Sequence, residues 1–426
     1  MNNPTLKLDI LYSKSVMVSL EGFYFIGDSQ RCLSGDWLVR ADQKNIVIEN
    51  DDEIIVVDNN VLFAPLDWEE SFFIMKEEGG EHAAKNYYKG AIHVSLKEGK
   101  VKVENEVDID FFISSVLDRR YADNNQLEFL KVQVVLLRSY LLKFNKEINA
   151  VGLLEPKADN DVLLHNKNYI EPTPEQLHFV YTGCSLNSNK LVQSAVEQTK
   201  GMAVFHNSKV VVLPISLCCG GVTGVEYYLG EDKIGDYLKN RRDTAEDKSL
   251  DLQNDDDFYN WLYSTDNCFC NEKRSDVLSK LVSVDIGNRD ELYRWNKVVS
   301  KKDIGAAIAR IDEGRWESID SISIKERSVD GNIKQLEIFG EDKSTVLQKK
   351  ELMLFSALLD LPTTAFVVKS LENNESVGDG FTFNGIGKGH RAGLCLLGTM
   401  VMSEKGYRME EIIAHYFKDV YISKQY

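Results

Sequence analysis

Alternation of apolar and polar positions dominates the first hundred residues. Leu6, Leu8 and Ile10 alternate with polar neighbours, and so do Val16, Val18 and Leu20. This period of two marks half-buried strands. Residues 45–57 hold two short β-branched runs parted by the acidic turn Asn50-Asp51-Asp52-Glu53. Ile92, Val94 and Leu96 face Val101 and Val103 across Lys97-Glu98-Gly99-Lys100, a hairpin signal. The pattern changes after residue 105. Residues 107–117 are apolar and read as a helix, and residues 126–146 predict the strongest helix of the chain. On a 100° wheel Glu128, Lys131, Arg138 and Ser139 share one side, Gln133 and Tyr140 lie opposite, and Leu130, Val134, Val135, Leu137, Leu141 and Leu142 fill the space between. A helix this apolar is largely buried, so its polar side faces a cleft or a partnered ion network; an exposed stripe with a Glu128–Lys131 pair is the plainer alternative.

Further on, residues 191–199 predict a helix, followed by Gly201 and strands over 202–205 and 209–214. Residues 241–258 are strongly acidic and read as a solvated loop or insertion. A strand-rich stretch opens at Asp330-Gly331-Asn332-Ile333, and two short helices close the chain, over 399–405 and 409–417. The expected fold class is α+β: a strand-rich N-terminal region, 1–105, packed on a larger mixed α/β domain, 106–426.

Composition narrows the function. The 426 residues are 43% hydrophobic with a net charge of −17, enough for a substantial core and wrong for a nucleic-acid-binding face or a polybasic membrane patch. No apolar run reaches the length of a membrane-spanning helix. The N-terminal residues show no basic region followed by an apolar stretch and a cleavage site, so the expectation is a cytoplasmic chain, or an extracytoplasmic one whose leader has been trimmed. Seven cysteines, an odd number without framework spacing, fit reduced thiols.

The chemistry concentrates in Gly385–Tyr421. Gly385, Gly387 and Gly389 precede His390, then come Gly393-Leu394-Cys395, Gly398, and His415-Tyr416-Phe417. Glycines permit positive φ and close backbone approach, so the stretch reads as a loop presenting an imidazole and a thiol, backed by a helical hairpin. The order of these residues resembles the C-terminal motif of the stage II sporulation protein D and amidase-enhancer family, with Arg391 in place of a glycine and Leu396 in place of a glutamine. The helix resembles the same family: Lys131, Gln133, Arg138, Ser139 and Tyr140 hold its polar positions. The run from Ala195 to Gly201, Cys218-Cys219-Gly220-Gly221-Val222-Thr223 and Arg294-Trp295 are similar to its leaderless branch.

The resemblance implies peptidoglycan glycan strands or muropeptides as ligands, a cell-wall amidase as partner, and a groove between the helix and the histidine loop. It implies substrate-binding roles for Lys131, Gln133, Arg138, Ser139, Tyr140, His390, Gly393, Cys395, His415 and Tyr416. Lytic transglycosylases of the family use one glutamate, which protonates the departing glycosidic oxygen and then accepts the proton of the sugar's own 6-hydroxyl. Counting back from Lys131, that position holds Arg120, which stays protonated and cannot cycle a proton. Asp118, two residues away, or a carboxyl from elsewhere in the fold could take its place. For metal, His178 and Cys184 resemble the first half of a family zinc arrangement, with Cys218 or Cys219 to complete it; zinc is the one cofactor this suggests. Cys268-x-Cys270 reads as structural. Three functions follow as expectations: a glycan-binding or amidase-enhancing protein without the acid, an active transglycosylase using Asp118, or a cytoplasmic role in muropeptide recycling.

Overall fold

The computed structural model describes residues 3–27, 31–77, 86–121, 126–150, 181–185, 189–226, 228–229, 232–233, 235–246, 248–281, 291–312, 314, 316, 318–374 and 378–426. The class is α+β. The described residues of Met1–Glu155, Pro172–Val211 and Ile422–Tyr426 form one compact unit, and those of Val212–Tyr421 the other.

The first unit is built on β1 (Thr5–Ser13), β2 (Ser15–Ile26), β3 (Cys32–Asp42), β4 (Asn45–Glu49), β5 (Ile54–Val57), β6 (Asn60–Pro65), β7 (Phe72–Glu77), β8 (Asn86–Lys89), β9 (Ala91–Lys97) and β10 (Lys100–Asp108). Most lie in the order β1-β10-β9-β6-β2-β3-β4-β5. The predicted hairpin is present, with Val101 opposite Leu96 and Val103 opposite Val94. The alternating residues do what their period requires: Val16, Val18, Leu20, Val94, Val101 and Val103 share one buried cluster.

β10 runs directly into α1 (Ile109–Arg120), whose N-cap Asp108 accepts from the amides of Asp110 and Phe111 at 2.8 and 3.2 Å. Capping of this kind satisfies donors that the first helical turn leaves open. α1 and the long helix α2 (Leu127–Ala150) therefore stay with the N-terminal sheet. Phe144 departs from helical geometry (φ −110°, ψ 16°) and marks a kink within α2.

The second unit has its own core. Strands Arg294–Ser300, Gly378–Ile386 and Phe366–Asn374 form one small antiparallel sheet, and Ser321–Arg327, Ile333–Phe339 and Ser344–Gln348 another. Trp295, Ile308, Leu336, Phe355 and Phe383 meet in its cluster. The chain closes with helices Leu396–Glu404 and Met409–Tyr416. The acidic stretch 241–258 is only partly a solvated loop: Asp243 is fully buried, and Asp255–Leu262 forms a helix. No described helix is long and apolar enough to cross a membrane.

Candidate functional site

The polar residues of α2 are committed within the first unit. Arg138 is fully buried; its Nε donates to Asp110 Oδ1 (2.8 Å), its Nη2 lies 2.7 Å from the same oxygen, and its Nη1 donates to the carbonyls of Thr199 (2.7 Å) and Met202 (3.0 Å). The Ser139 hydroxyl donates to the Val135 carbonyl (2.7 Å) and accepts from the Val204 amide (2.8 Å). Gln133 accepts from the Tyr121 hydroxyl (3.3 Å), and Tyr140 packs its ring 4.9 Å from that of Phe144. Lys131 pairs with Glu128 at 2.8 Å, three residues away.

Arg120 ends α1 with its guanidinium 5.7 Å from the centre of the Tyr121 ring. A cation in the last turn complements the helix dipole. Asp118 is buried, and its carboxylate accepts from the Asn189 amide. Burial raises its pKa, and that amide pulls it partly back. Cys184 also lies in this unit, opposite Tyr87 on β8; burial, with the charge of Asp118, pushes its thiol up to about 12. His178 lies outside the described residues.

The histidine loop belongs to the second unit and runs beside residues 215–224. Leu394 and Cys395 pair in parallel with Ile215 and Ser216, and the Lys388 amide donates to the Cys218 carbonyl at 2.8 Å. Gly393 has φ +70°, and a Cβ there would collide with the Pro214 carbonyl. The His390 ring is held at both nitrogens. Nδ1 accepts from the Ala392 amide (3.1 Å), which leaves Nε2–H to donate to the Ile215 carbonyl (3.0 Å). Burial lowers its pKa to about 4, against a smaller opposing effect of that carbonyl.

Arg391 adopts the left-handed conformation (φ +65°). Fully buried, it donates to the carbonyls of Cys219 (2.9 Å) and Asp330 (2.9 Å) and to Asn332 Oδ1 (3.0 Å). These bonds offset the strain a side chain suffers at positive φ.

Cys395 stands at the N-cap of the helix Leu396–Glu404. Its Sγ, fully buried, meets Cys219, Cys270 and Asp243, with one donor atom from each of the four within 4.8 Å of all the others. The Cys219 and Cys270 sulfurs are 3.6 Å apart. Cys395 Sγ accepts from the amides of Cys219 (3.3 Å) and Gly398 (3.4 Å). Burial opposes its ionisation, but hydrogen bonds from the thiols of Cys218, Cys219 and Cys270 and from Gly398 outweigh burial and hold its pKa well below the usual thiol range. Asp243 accepts from the Cys270 amide at Oδ2 (3.0 Å) and from the Tyr416 hydroxyl at Oδ1 (2.8 Å), and His415 Nε2 lies 3.6 Å from Oδ1. Gly398 is required here: a Cβ would collide with the Tyr416 hydroxyl and stand 2.6 Å from Asp243 Oδ2. The resemblance groups Cys219 with Cys184 and His178. The structure gathers it with Cys270, Cys395 and Asp243, while Cys184 lies in the other unit.

Residues 97–206 match the family model described as stage II sporulation protein. This stretch is similar to the stage II sporulation protein family. The matched stretch takes in α1, α2, Arg120, Asp118 and the polar residues of α2. A second family model, a domain of unknown function (DUF8618), matches residues 227–393. Asp243 and Cys270 fall inside that second stretch, and Cys219 and Cys395 stand just outside its two ends. No curated protein matches the chain.

Proposed function

We propose that this protein binds peptidoglycan glycan strands, as a strand-binding or amidase-enhancing member of its family, and does not cleave them. The observation that carries the reading is Arg120. It occupies the position at which the resemblance calls for the catalytic glutamate, inside the stretch that matches the sporulation-protein model. A guanidinium stays protonated across the physiological range and cannot serve as acid and then base. Asp118, two residues away in the sequence, is engaged with the Asn189 amide, which connects α1 to the start of the helix Lys190–Gln198.

Retention on purified peptidoglycan sacculi tests the reading. The chain is expected to co-sediment with sacculi in a saturable manner and to raise the rate at which a cell-wall amidase releases stem peptides from them. Absence of both effects would refute it. A second reading, a transglycosylase using Asp118, is favoured by one observation: burial raises the pKa of that carboxyl, as a general acid requires. The two readings part at turnover.

A further inference from the structure

We infer that Cys219, Cys270, Cys395 and Asp243 bind one zinc ion in a closed, four-ligand site that ties together distant segments of the second unit. The donor set has the required chemistry. Three sulfurs and one carboxylate oxygen suit zinc, which takes four such ligands in its structural sites. Thiolates exclude hard cations such as magnesium and calcium, and the carboxylate disfavours copper(I).

The geometry agrees. With Zn–S bonds of about 2.3 Å, a regular tetrahedron has edges of about 3.8 Å. The Cys219–Cys270 sulfur separation is 3.6 Å, and the whole donor set falls within 4.8 Å. These sulfurs are not bonded to one another; all are free thiols.

The surroundings are arranged as those of metal ligands are. Two amides point at Cys395 Sγ, from Cys219 and Gly398, and such N–H groups stabilise a thiolate. The Cys270 amide and the Tyr416 hydroxyl orient the Asp243 carboxylate, the outer-shell support that fixes ligand direction. His415, 3.6 Å from that carboxylate, has no hydrogen-bond partner for Nε2 among the described residues. Arg391, fully buried, bonds the Cys219 carbonyl. A fully buried carboxylate beside three buried sulfurs is costly as a bare cluster. A divalent cation at its centre offsets that cost, with Arg391 and His415 alongside. The four ligands come from separate stretches of the sequence, so one ion cross-links loops that hydrophobic packing alone holds less firmly.

The test is metal content. The full chain, purified under reducing conditions from zinc-supplemented and from cobalt-supplemented cultures, is assayed by elemental mass spectrometry. The expected result is about one metal per chain. The cobalt form should show the intense visible bands of tetrahedral coordination together with thiolate-to-cobalt charge transfer. Cys270→Ser and Cys395→Ser should each lower the bound metal by about tenfold or more, whereas Cys184→Ser should leave it unchanged. If the serine variants do not fold, titration of the wild-type chain with a mercurial reagent decides: the metal should leave as three thiols are consumed. Folded wild-type chain with only traces of metal would overturn the proposal. So would a full equivalent of metal retained in the Cys219→Ser/Cys270→Ser/Cys395→Ser variant.

Discussion

At the scale of single residues, the polar side chains that define the family resemblance are largely inward-facing. His390 is a neutral imidazole with both nitrogens engaged. Its pKa falls from 6.5 to about 4 on folding, so between those values the unfolded chain binds the proton that the folded chain refuses. Its contribution to stability is complete above pH 6.5 and is lost as pH falls toward 4, by up to about 3 kcal/mol. Urea unfolding across this range should show a steeper loss in the wild type than in His390→Gln; equal slopes would contradict the assignment. Arg138 gives a second prediction. Arg138→Ala leaves Asp110 buried without its cation, and loss of one partner from such a pair costs about 3–5 kcal/mol. The same urea measurement should show it. A cost below about 1 kcal/mol would mean that Arg138 is not the anchor that its bonds describe.

At the scale of elements, periodicity was a dependable guide. The pattern of α2 is strong enough to place it from the sequence, and its apolar faces are buried as their spacing demands. The alternating strands of the first hundred residues are equally plain. The cysteine centre was not legible, for a physical reason. Its donors lie at 219, 243, 270 and 395, with no short ligand spacing to read. Its one carboxylate sits in an acidic run that reads as solvated surface. The signals present were the paired Cys218-Cys219 before two glycines, Cys268-x-Cys270, and a thiol in the glycine-rich loop; only the fold brings three of them together. The helix Leu396–Glu404 offers the corresponding test. Gly398→Ala places a methyl group against the Tyr416 hydroxyl and the Asp243 carboxylate. Overpacking of this kind costs about 1–3 kcal/mol, and the variant should melt at lower temperature and hold its metal less tightly. An unchanged melting temperature would show that the contact relaxes freely.

At the scale of the whole molecule, the described residues of the two matched stretches fall in different compact units. The described residues of the sporulation-protein match lie in the first, with α1 and α2, and those of the second match lie in the unit that holds the cysteine centre. Arg120 and Asp118 thus lie in one unit, and the buried cysteine cluster in the other. The first of these carries the functional proposal, and it is tested most directly by the products formed from denuded glycan strands. Strands incubated with wild-type chain and with Asp118→Asn, then resolved by mass spectrometry, should show no 1,6-anhydromuramoyl ends from either protein. Such ends appearing with the wild type and vanishing with Asp118→Asn would contradict the account.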